Sequence, residues 1–96
     1  MAEDTGPVYD EYESITVGAT AEALDSAVYG NRQFAFITVE GQAIRFRVDG
    51  TAPTATEGHE VIPGGQVRLK NAQEVAAFRA IRRDSIDATI RVSYGW

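Results

Sequence analysis

One histidine, eight arginines and five carboxylates close to the N-terminus are the side chains whose chemistry must be weighed first. His59 follows Gly58 and adjoins Glu60. A zinc-type site needs several His, Cys or carboxylate ligands converging on one point, and a lone imidazole does not supply them. The chain has no cysteine, so it holds no thiolate nucleophile. No serine and aspartate stand out as partners of His59 for a nucleophilic triad. His59 is therefore read as a loop or edge residue making one hydrogen bond. Gly64-Gly65 lacks the Lys-Ser/Thr and the receiving helix of a phosphate loop, and reads as a turn. The sequence predicts no catalytic residue, no cofactor and no metal site.

The arginines point to binding. Arg45 and Arg47 alternate with Ile44, Phe46 and Val48, the period-two pattern of a strand with one face buried. One reading is a solvated face with pairs to Glu40 or Asp49, worth at most about 1 kcal/mol. The other is an interface, because the planar guanidinium forms bidentate carboxylate pairs and stacks on aromatic rings. Arg79, Arg82 and Arg83 form a second cluster around Ile81. Tyr9 and Tyr12 near one end, and Trp96 at the other, are aromatic anchors of the kind interfaces use. The candidate interface residues are thus Tyr9, Tyr12, Arg45, Arg47, Arg79, Arg82 and Trp96.

Charge divides the chain in two. Residues 1–13 carry Glu3, Asp4, Asp10, Glu11 and Glu13 and no base, whereas beyond them nine acidic side chains balance nine basic ones. The whole net charge of −5 therefore belongs to the first thirteen residues. A neutral body with an acidic arm argues against nucleic-acid binding, which needs surplus Lys and Arg. Poor in apolar residues, the arm would not fold alone. It is either a solvated tail or a segment that orders on a neighbouring subunit through Tyr9 and Tyr12. No apolar run approaches the roughly 20 residues of a membrane helix. No signal-peptide pattern is visible, so the expectation is a soluble protein made in the cytoplasm.

The elements that must position these residues are short. Ser14–Val17 reads as a strand. Thr20–Tyr29 has helical propensity in Ala21 to Leu24 but lies between strand-like runs, and is read as extended. Gln33–Val39 is apolar on both faces, as a central strand would be. Glu40-Gly41 then joins it to Gln42–Val48 as a hairpin. Asp49–Gly58 is a loop and His59–Ile62 a strand. Pro63-Gly64-Gly65 is a turn before a strand containing Val67 and Leu69. After a turn or single helical turn at Asn71–Glu74, Val75–Ile81 reads as a strand containing Phe78. Arg82–Ser85 turns into the clean alternation of Ile86, Ala88, Ile90, Val92 and Tyr94. About eight strands at spacings near ten residues predict an all-β antiparallel sandwich or compact barrel over 14–96, with the jelly roll as one candidate topology. An extended arm over 1–13 precedes it. The expected core includes Ile44, Phe46, Phe78, Ile90 and Val92.

Four segments carry a resemblance: V-E-G-Q-A-I-R-F-R-V-D-G-T-A-P-T (39–54), G-H-E-V-I-P-G-G (58–65), F-R-A-I-R (78–82) and D-A-T-I-R-V-S-Y-G (87–95). In this order and spacing the chain from Ile15 to Gly95 resembles small tailed-phage and prophage virion structural proteins of about a hundred residues. The resemblance implies a β-sandwich virion component without catalytic residues. It implies structural roles for Arg45, Arg47, Asp49, Gly50, Pro53, Gly58, His59 and Gly64, and does not reach the acidic arm. The resulting expectation is a capsid decoration or cement protein, placed on the outer surface of the shell or at its portal end, in the neck and tail region. Its partners would be itself, as a homo-oligomer such as a trimer, and the major capsid protein or another virion subunit. No nucleic acid and no membrane are expected. The alternatives are a neck, tail or fibre component, and, from fold analogy alone, a carbohydrate-binding module.

Overall fold

The computed structural model describes residues 8–96. In chain order its elements are β1 (Tyr9–Val17), β2 (Glu22–Ala23), α1 (Ser26–Tyr29), β3 (Phe34–Glu40), β4 (Ile44–Arg47), β5 (His59–Val61), β6 (Gln66–Leu69), α2 (Ala72–Ala77), β7 (Arg79–Arg82) and β8 (Ala88–Gly95). The eight strands form two four-stranded antiparallel sheets, ordered β1-β8-β3-β6 and β2-β7-β4-β5. Strand one pairs with eight, two with seven, three with six and four with five. This is one long hairpin rolled up, the jelly-roll arrangement of an all-β sandwich.

The roll explains why the expected Glu40-Gly41 hairpin does not form. Gly41 does take a positive φ of 82°. The turn carries the chain from one sheet to the other, and β3 pairs with β8 and β6 instead of β4. In this topology β4–β5 is the one pair of strands consecutive in sequence. The central position expected for β3 is correct, and Ala35, Ile37 and Val39 face the core.

The core fills the space between the sheets with Val17, Ile37, Val39, Ile44, Val75, Phe78, Ile90, Val92 and Tyr94. Phe46 is half-buried rather than enclosed, stacked at 5.4 Å on Phe78 and lying 5.2 Å from the His59 ring. Ile86 is 61% exposed, because β8 starts only at Ala88.

Two segments read as strands contain helical turns. Asp25 caps α1 by accepting the Ala27 N–H at 2.9 Å. Within the stretch Thr20–Tyr29 only Glu22–Ala23 forms a strand. Asn71 caps α2 by accepting from Glu74 at 2.8 Å, while Glu74 reaches back to the Lys70 N–H at 3.0 Å. These reciprocal bonds satisfy amide donors that a helix start leaves open. Val75 therefore sits in a helix, Phe78 at its C-terminal cap, and the strand begins at Arg79.

The arm read as 1–13 is divided by the structure. Tyr9 to Glu13 belong to β1 and pair with β8, with a register irregularity between Tyr9 and Glu11. Glu3 and Asp4 lie outside the described residues.

Candidate functional site

The outer face of the second sheet gathers four of the eight arginines, Arg45, Arg47, Arg79 and Arg83. In β4, Ile44 is fully buried, so alternation turns Arg45 and Arg47 outward. In β7, Ala80 is fully buried, so Arg79 and Ile81 face outward as well. Register places Arg47 directly opposite Arg79 and Arg45 directly opposite Ile81 and Glu60. Arg83, just beyond β7, bonds Glu60 on the same face and grips Asp84 through Nε at 3.2 Å and Nη2 at 2.9 Å.

These guanidiniums differ in their partners. Arg47 makes a fork to Asp49, with Nε 3.1 Å from the carboxylate. Arg45 is half-buried and donates to the carbonyls of Ala55 at 2.8 Å and Gly58 at 3.1 Å. It thereby clamps the Asp49–Gly58 loop onto the sheet. Gly58 permits this approach, since a Cβ there would lie 3.1 Å from both the Phe46 carbonyl oxygen and Pro53. Arg79 is exposed, and among the described residues it has no carboxylate within ion-pair distance. Asp49 and Asp84 are held below the usual carboxylate range, chiefly by their hydrogen bonds from Arg47 and Arg83.

Arg82 leaves this group. It turns to the opposite side of β7 and bonds Asp87 at 2.6 Å. The sequence cluster Arg79–Arg83 is therefore split by strand alternation. Arg83 and Glu60 belong to the face but were not among the sequence candidates. The spacing Arg79-Ile81-Arg83 was the signal, masked by reading Val75–Ile81 as one strand and Arg82 as a turn.

Tyr9, Tyr12 and Trp96 lie far from the arginine face, on the first sheet. Tyr12 is 54% exposed and opposite Ser93, which is itself opposite Phe36 and then Arg68. Arg91 crosses this sheet, donating to the Tyr12 hydroxyl and to Glu40, both at 2.8 Å. Arg68 lies over the Phe36 ring at 4.6 Å. Arg32 holds Asp10 with two bonds of 3.0 Å and stacks on Trp96 at 4.7 Å. Asp10 is lowered mainly by that Arg32 bond. Glu13 accepts from the buried Tyr94 hydroxyl and from the Asp25 N–H at 3.2 Å. Burial first, and then the Glu13 carboxylate, push the Tyr94 hydroxyl well above its ordinary range, so it stays protonated.

His59 lines an open cleft of about 320 Å³ with Arg47, Val48, Asp49, Glu57 and Gly58. A neighbouring cleft of about 460 Å³ shares Val48 and Asp49 and reaches Asn71 and Glu74. Among the described residues no group of three His, Cys, Asp or Glu is placed to hold a metal. Comparison with family models, with curated proteins and with solved structures finds no match.

Proposed function

We propose that the chain is a structural component of a tailed-phage virion, a decoration or cement protein that works by association rather than catalysis. It joins copies of itself and contacts the major capsid protein on the outer surface of the shell. The observation that carries this reading is β1. It is a nine-residue strand at the edge of its sheet, paired on one side only, with Tyr9 and Tyr12 41% and 54% exposed. An open edge strand is a template onto which another chain adds. The four-segment resemblance to phage virion proteins and the use of jelly rolls in viral capsids support the same reading by analogy. Many weak contacts of this kind become strong when a symmetric shell repeats them.

The test is occupancy on purified particles. A truncation through residue 13 would also strip Glu13 from Tyr94, so the informative deletion is 1–7 combined with Tyr9→Ser and Tyr12→Ser. The intact chain should co-purify with virions and the altered chain should be lost from them. A chain that never accompanies particles, or an altered chain that decorates them as fully as the intact one, overturns the reading.

A further inference from the structure

The sheets end in edges of unequal length. β2, β5 and β6 run for two, three and four residues, whereas β1 runs for nine. A short edge resists adding a further strand, and a long one invites it. Its neighbour β8 fixes which backbone groups β1 leaves over. Trp96 exchanges bonds with Val8 on the β1 side, while Gly95 accepts from Gln33 on the β3 side. Bonding direction alternates along an antiparallel strand, so Tyr94, Val92 and Ile90 bond β1. Their partners there are Glu11, Glu13 and Ile15. Tyr12, Ser14 and Thr16 therefore turn their N–H and carbonyl groups to the open side of the strand. Among the described residues no other group bonds that backbone. Nor do the carboxylates of the strand bar a partner, once the chain has folded. Asp10 and Glu11 face Arg32, and Glu13 accepts from Tyr94.

We propose that β1 pairs antiparallel with β1 of a second copy, about a two-fold axis at Ser14, so that the two first sheets become one. This deepens the self-association in the function proposed above and rests on it. A second copy is the occupant because the free groups complement themselves in one register. With Ser14 opposite Ser14, Tyr12 meets Thr16 and Thr16 meets Tyr12, so all three residues exchange bonds. Between them Glu13 falls opposite Ile15, and Glu11 opposite Val17. An axis at Tyr12 or Glu13 would set glutamate opposite glutamate, which is destabilising. An axis at Ile15 or Thr16 would place Tyr12 opposite residues beyond Val17, where β1 has ended. The same patch serves both copies, so the contact closes at a dimer.

Thiol cross-linking and sedimentation velocity of the full chain test this. The chain has no cysteine, so each introduced one reports alone. Residues opposed in a bonded antiparallel pair have Cα atoms about 5.5 Å apart, within disulfide range. Ser14→Cys should therefore form a disulfide dimer under mild oxidation. Tyr12→Cys alone and Thr16→Cys alone should not, because a four-residue offset separates each from its own copy by about 13 Å. A mixture of those two variants should cross-link. In sedimentation the wild type should dimerise, and no less at high salt, because backbone bonds carry the contact and salt screens the −5 charge of each copy. Ser14→Pro removes an N–H that faces away from β8, so it should weaken the dimer by at least about tenfold and leave circular dichroism unchanged. If that variant does not fold, the cysteine pattern decides. The inference fails if the wild type is monomeric throughout, if a folded Ser14→Pro chain still dimerises, or if Tyr12→Cys links to itself as readily as Ser14→Cys. It also fails if the chain dimerises only after residues 1–7 are deleted, since its own first residues would then hold the edge. Virion co-purification is read separately. Particles that carry a monomeric chain overturn this inference alone. A dimer absent from particles overturns the virion reading alone.

Discussion

Replacing Gly95 by alanine should detach the start of β1 while leaving the rest of its sheet paired. A Cβ at Gly95 would overlap the carbonyl oxygen of Val8 and lie 2.9 Å from the Tyr9 Cα. Backbone on both sides must give way. The contact that yields is the terminal one, because Val8 and Trp96 are joined only by a pair of bonds of 2.9 and 3.0 Å. From Glu11 to Val17 the strand keeps its own register with β8. Two backbone hydrogen bonds, each worth a net 0.5–1.5 kcal/mol, put the cost at about 1–3 kcal/mol. In a domain this small that lowers the melting temperature by about 4–8 °C per kcal/mol. Urea unfolding should show a lower midpoint at an almost unchanged slope. Amide exchange should quicken at Val8 and Trp96 and stay slow at Ile90 and Val92. A Trp96 amide as protected as in the wild type, with the midpoint unmoved, would refute the argument.

Other perturbations separate core, network and surface. Phe78→Ala, at a fully enclosed ring, should cost about 3–5 kcal/mol in chemical denaturation, and Phe46→Ala clearly less because its ring is half-buried. Glu13→Ala leaves the buried Tyr94 hydroxyl without its acceptor and should cost about 1–3 kcal/mol, with Tyr94→Phe milder in the same assay. Asp10, Asp49 and Asp84 have folded-state pKa values below the ordinary 3.8. Their contribution is present above that value and lost as pH falls through the lower folded values, so an acid titration should show stability declining below about pH 4. His59→Ala should leave particle occupancy unchanged and lower melting only slightly, since the exposed ring's packing contact is with half-buried Phe46.

The all-β class was legible because Ile44–Val48 and Ala88–Tyr94 alternate so regularly that one face of each had to be buried. The same alternation showed that Arg45 and Arg47 share a face. Sheet membership was not legible. Glu40-Gly41 has the residues of a hairpin turn, but turn chemistry reports how sharply the chain bends and not which strand it then meets. The two helical turns were hidden for a related reason. Ala72–Ala77 is too short to show a 3.6-residue period, and its one clear marker was the Asn71 cap with Glu74 three residues on. The arginine face needed both kinds of information. Arg47 and Arg79 are thirty-two positions apart, and only the register of β4 with β7 brings them opposite each other.

The rolled hairpin also sets a timetable for synthesis. β8 lies C-terminal to every other strand, yet it sits between β1 and β3 and joins them. While a ribosome is still making the chain, β4, β5 and β7 can pair as they emerge, but β1 has nothing to pair with until β8 has left the tunnel. Its alternating Tyr, Glu and β-branched residues must stay unpaired until the last strand of the domain has been made. The carboxylates at Asp10, Glu11 and Glu13 then serve a second purpose. Before they find Arg32 and Tyr94, they keep waiting β1 strands on neighbouring nascent chains from pairing with one another.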